Sequence, residues 1–151
     1  MDKKRVLFIG IGFYDYEDSI IKEFESLNYH VDYFSEVPAS NFRSKVYSRL
    51  NKTEKIEQLK KKHSLEIANS SSNDYDLVFV IKCDDLSSEA LTIIRNKSPK
   101  AQFVLYLWDS LARFEKVKEK FNFFDRIFSF DRIDCEENST LQFNPLFYRN
   151  E

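Results

Sequence analysis

Residues Arg5–Gly10 read RVLFIG, an almost continuous apolar run that halts at glycine. Runs of the same kind return at Tyr75–Ile81 (YDLVFVI), Gln102–Trp108 (QFVLYLW) and Arg126–Phe130 (RIFSF). A strand that is apolar on both faces has to be covered on both faces, which is the condition of a parallel sheet in an α/β protein. Val31–Phe34 alternates more and is expected nearer a sheet edge.

Helical spacing fills the intervals. Glu17–Asn28 sets Ile20, Ile21, Phe24 and Leu27 on one side, and Asn28 is a plausible stop. Ser88–Asn96 carries Leu91 and Ile94 before Pro99, and Leu111–Phe121 carries Leu111, Phe114, Val117 and Phe121. The β-α-β-α alternation with right-handed crossovers predicts a Rossmann-like, doubly wound, mostly parallel sheet with helices on both faces. From about residue 42 to 69 the chain lacks Gly and Pro and is rich in Lys, Glu and Leu. It reads as one long extra helix or a broken pair, with Phe42, Val46, Leu50, Ile56 and Leu59 inward, closed by the polar run Ser70–Asn73.

The totals fit one domain over residues 1–151 with a core of its own. Fifteen Phe are too many for a disordered chain, so most should be buried. A net charge of −2 argues against a nucleic-acid binder. Charge is uneven, with eight Lys/Arg and two Glu between Arg43 and His63. That stretch could lie against anionic lipid headgroups, although the solvated face of a long helix is the commoner use. The two cysteines, Cys83 and Cys135, read as reduced thiols of a cytoplasmic protein. No secretory leader or bilayer-spanning run is expected.

Both glycines, Gly10 and Gly12, stand where the first strand should turn into the first helix. Dinucleotide folds place G-x-G-x-x-G there, with phosphate on the helix N-terminus. Here Asp15 stands at the third glycine position, followed by Glu17 and Asp18. Phosphate would meet like charge, so a close-packed, acid-capped turn is favoured over a nicotinamide or flavin site, even with Glu36 placed to mimic a ribose-binding acid.

Asp84 and Asp85 follow the third strand, and Asp109 follows the fourth beside the sole tryptophan, Trp108. Ligands of open α/β sheets bind beyond the carboxyl ends of strands, so these acids and Asp15 could converge on one crevice. The plainer role for Asp85 and Asp109 is to cap the helices they precede. A metal site lacks suitable ligand spacing, and His30 and His63 support no nucleophilic triad. A receiver-type phosphoacceptor site would want acids directly after the first strand, where Gly10 and Gly12 stand. It would also want a lysine after the fifth, where Ser129 and Phe130 stand.

Three stretches resemble a known family. They are KRVLFIGIGFYDYEDSIIKEFESLNYHVDYFSE, YDLVFVIKCDDLSSEALTIIRNKSPKAQFVLYLWDS with its strand ending in Tyr-x-x-Asp, and FDRIFSFDRIDCEENSTLQFNPLFYR. Together they resemble the amino-terminal domain of GT-B glycosyltransferases of bacterial lipopolysaccharide and capsule synthesis, related to the CgeB group. The resemblance implies an acceptor-side domain, inactive alone, whose partner domain would bind the nucleotide-sugar donor. No cofactor or metal would then sit in this chain. Gly10, Gly12, Asp15, Asp84, Asp85 and Trp108 would line an acceptor cleft, with Asp109, an acceptor-side acid, as the candidate catalytic residue. The implied partner is a saccharide or lipid-linked saccharide, with peripheral contact to the inner membrane face through residues 43–63. The alternative is a stand-alone binding or regulatory module on the same fold.

Overall fold

The computed structural model describes residues 2–12, 15–38, 49–50 and 53–146. Among these, six parallel strands form one sheet in the order β2-β1-β3-β4-β5-β6. The strands are β1 (Lys4–Gly10), β2 (Tyr29–Ser35), β3 (Leu77–Ile81), β4 (Gln102–Leu107), β5 (Arg126–Ser129) and β6 (Leu141–Phe143). The connecting helices are α1 (Asp15–Ser26), α2 (Thr53–Ser70), α3 (Ser88–Lys97) and α4 (Arg132–Glu137), with 3-10 turns over Glu115–Phe123 between β4 and β5. This is the α/β, doubly wound parallel fold expected from the apolar runs. Its edges are β2, the strand with alternating residues, and β6, a three-residue strand too short to show as a run.

Register decides which side chains share a face. Leu7 lies beside Val78, Val78 beside Phe103, and Leu105 beside Ile127. These residues are sealed against Ile67 and Ala68 of α2, Ala90, Leu91 and Ile94 of α3, and Val117 of the 3-10 turns. On the opposite face Phe8 meets Tyr33 and Phe79, and Phe24 of α1 packs on Phe8 and Phe79. The right-handed rule explains the division. Only the step from β1 to β2 runs leftward, so α1 takes one face, and α2, α3 and the 3-10 turns take the other.

Several local expectations are corrected. The helix read over Leu111–Phe121 is a run of 3-10 turns, which begins at Phe114 without a side-chain cap. The cap of α3 is Ser87, whose hydroxyl accepts from the Ala90 N–H, so Asp85 does not cap it. Asp109 likewise caps no described helix; that role falls to Asp131, at the start of α4. The long helical segment expected over 42–69 is represented by α2; residues 42–48 and 51–52, with Phe42 and Val46, lie outside the described residues. The stretch 43–63 falls partly outside them for the same reason. No described helix is long and apolar enough to cross a membrane.

Candidate functional site

In a sheet of this order the connections diverge between β1 and β3, and ligands of such folds enter at the carboxyl edge there. The glycine turn after β1 is filled from within. Glu17 bends back from the first turn of α1, and its Oε1 accepts from the N–H groups of Ile11 at 2.6 Å and Gly12 at 3.0 Å. Its Oε2 accepts from the Tyr33 hydroxyl. The carboxylate thus takes the backbone donors and the positive helix end that a phosphate would use. Both glycines follow from this. A Cβ on Gly10 would stand 2.7 Å from Glu17 Cδ and 3.1 Å from the Tyr33 ring, and Gly12 has φ +71°. Burial and the neighbouring Glu17 carboxylate together push the Tyr33 hydroxyl upward from its ordinary value.

The acids after β3 and β4 are also engaged. Lys82 sits between Asp109, at 2.8 Å, and Asp84, at 3.4 Å, with its ammonium over the Phe114 ring. Lys60 of α2 reaches Asp85 at 2.9 Å. Lys120, from the 3-10 turns, donates to the Cys83 and Asp84 carbonyls. Lys82 and Cys83 both have φ above +60°, a left-handed pair of non-glycine residues that such outside restraint can hold. Trp108 lies edge-on to Tyr106 and Tyr16. The space bounded by Lys82, Asp84, Trp108, Asp109 and Phe114 is about 10 Å³, hardly the volume of one water. Asp15 opens α1 and is exposed.

Behind this loop lies Glu36, 3% exposed. Its Oε1 accepts from the Asp84 N–H at 3.3 Å, and its Oε2 has no hydrogen-bond partner. Burial first, then Asp85 and Asp84, raise its carboxyl to about 8. Burial likewise pushes the Asp84 carboxyl and the fully enclosed Cys83 thiol upward. Among the described residues no group of three His, Cys, Asp or Glu could hold a metal ion.

The sequence therefore locates the carboxyl-edge residues but not their use. Gly10, Gly12, Asp84, Asp85, Trp108 and Asp109 gather at that edge. The lysines that occupy the acids are not singled out by any motif; Lys82 is adjacent in sequence and open to view, whereas Lys60 and Lys120 arrive from distant elements. A much larger concavity lies elsewhere, on the α1 face of the sheet. It measures about 620 Å³ and is mostly apolar, bounded by Phe24 and Leu27 on one side and Val104 and Phe128 on the other.

No family model matches the chain, and no curated protein does. Among solved structures, a response regulator protein from Burkholderia pseudomallei, determined with a phosphorylated aspartic acid, calcium ion and citrate, is similar at a TM-score of 0.47 and 13% identity. The match covers 92% of this chain and 66% of that one, so this chain spans just under two thirds of that protein's length. A likeness this distant transfers no site or activity. The resemblance to GT-B glycosyltransferases, with its lipopolysaccharide and capsule role, is corrected by these findings: neither the family models nor the curated proteins provide a match, and a solved structure similar to this chain is that of a response regulator. The features that suggested it have local explanations. The glycine turn accommodates Glu17, and the Tyr-x-x-Asp at Tyr106–Asp109 ends in an ion pair with Lys82.

Proposed function

We propose that this chain is a binding or regulatory module without catalysis of its own. The observation that carries this reading is the closed carboxyl edge: Glu17 fills the backbone cradle, and Lys82 is shared by Asp109 and Asp84. A general base needs a carboxylate within reach of a substrate proton. Asp109 is held against an ammonium instead, with about 10 Å³ of space before it. Small-molecule sites combine a roomy cavity with a few convergent polar groups. Here the room lies on one face of the sheet, and the clustered acids and lysines lie at its carboxyl edge.

The test is thermal unfolding with a panel of dinucleotides, nucleotide sugars and simple saccharides, on the natural chain and on Asp109→Asn. No compound should raise Tm. Asp109→Asn should lower Tm by about 2 °C, as expected for weakening one partly exposed ion pair in a chain of this size. A saturable Tm increase of more than about 2 °C that Asp109→Asn abolishes would overturn the reading.

A further inference from the structure

A parallel sheet needs cover on both faces, and among the described residues one face is covered in part. On the α1 face Val6 and Phe8 of β1 are fully buried, while Phe79, Val104 and Phe128 of the next three strands are only partly covered. No described helix lies over β4 and β5 on this side. Beside the gap α1 stands proud: its Ile20 and Phe24 are partly exposed, and Leu27, just past its end, is 63% exposed. At 12 residues α1 is about 18 Å long, close to the length of the strands it would cover.

This deepens the binding-module reading and rests on it. We infer that the partner of this face is a second copy of the same chain, related by a two-fold axis parallel to the strands. Each α1 then lies in the other copy's gap, and two helices side by side fill the space between two sheets. Such a contact is self-complementary, as a closed dimer requires.

Charge fixes the direction of the axis. Glu23 is on α1 at the amino edge of the sheet, lining the groove and paired with no described cation. Arg126 is the first residue of β5, exposed at that same edge across the gap, bound to Gln142 and against Phe128. A two-fold axis along the strands exchanges left and right while leaving the edges level. It sets each Glu23 carboxylate opposite the partner copy's Arg126 guanidinium. An axis across the strands would bring Glu23 to the wrong end of the sheet.

Sedimentation equilibrium on the full chain tests this. The natural chain should sediment at twice its 18.1 kDa mass. Leu27→Glu, an exposed substitution that leaves the monomer fold intact by circular dichroism, should weaken the dimer by at least about tenfold. Glu23→Arg and Arg126→Glu should each weaken it severalfold, and the two together should restore most of the loss. A monomer at the highest soluble concentration would overturn the inference, and so would a dimer insensitive to Leu27→Glu, or charge substitutions whose effects simply add. A monomer would leave the closed-edge reading standing, since that is judged by ligand titration.

Discussion

Replacing Gly10 by alanine is expected to destabilise the chain by about 3 kcal/mol or more, a Tm loss of roughly 10 °C. The new methyl has nowhere to go. It would stand 2.7 Å from Glu17 Cδ and 3.1 Å from Tyr33, both tied to the turn by hydrogen bonds. Moving Glu17 away takes the partner from the Ile11 and Gly12 N–H groups and from the Tyr33 hydroxyl, which are partly buried or exposed, so each lost bond costs about 1 kcal/mol. Glu17→Ala alone should therefore also be costly. In the double variant the methyl added by Gly10→Ala enters the space Glu17 vacates, so the two losses should fall short of their sum by about 1 kcal/mol or more. Urea unfolding of the four proteins measures this. Strict additivity, or Gly10→Ala within about 0.5 kcal/mol of the natural chain, would show that Glu17 does not occupy the turn.

Glu36→Gln is expected to stabilise the chain at alkaline pH. The carboxyl titrates at about 8 when folded, against an ordinary value of 4.5. Between these values the folded chain holds a proton that the unfolded chain has released. Stability from this group is therefore greatest below about pH 4.5, falls as pH rises through the window, and levels off above about 8. Burial sets the sign: Asp85 and Asp84 add to it by opposing the carboxylate's charge, and Lys120 favours that charge without matching burial. Glutamine keeps an acceptor for the Asp84 N–H and carries no charge. At pH 9 the variant should exceed the natural chain by on the order of 3 kcal/mol, and near pH 4 the two should agree closely. A variant less stable than the natural chain at pH 9 would mean that Glu36 is held as a needed carboxylate.

Gly10 and Glu36 have roles that the linear sequence only half discloses. The strands are legible because burial on two faces writes itself as unbroken apolar runs, as in RVLFIG and QFVLYLW. The edge strand β2 shows as alternation. What escapes is short or long-range. β6 and α4 are three and six residues long, below the length at which periodicity can speak. Leu111–Phe121 has helical spacing yet forms 3-10 turns, its start bound elsewhere, with the Leu111 N–H given to Asp134. Asp85 stands at a capping position, but Ser87 stands nearer the helix and Lys60 draws the aspartate away.

The glycine turn reads in the sequence as acid-capped rather than as a phosphate cradle, and an acid does fill it. That the acid is Glu17, reaching back to Ile11, is a matter of side-chain direction that no motif encodes. The glycosyltransferase likeness errs for a related reason. It rests on features that any parallel sheet of this order can produce, such as a glycine after the first strand and an acid after the fourth.

If the carboxyl edge is occupied by the chain's own charges, it serves no phosphate-bearing ligand. Amide chemical shifts during titration with a nucleoside diphosphate test this residue by residue. The N–H signals of Ile11 and Gly12 and those of Lys82–Asp85 should stay in place through millimolar ligand in the natural chain. Saturable movement of those signals, above all of Ile11 and Gly12, would show that the ligand displaces Glu17 and would contradict the closed edge.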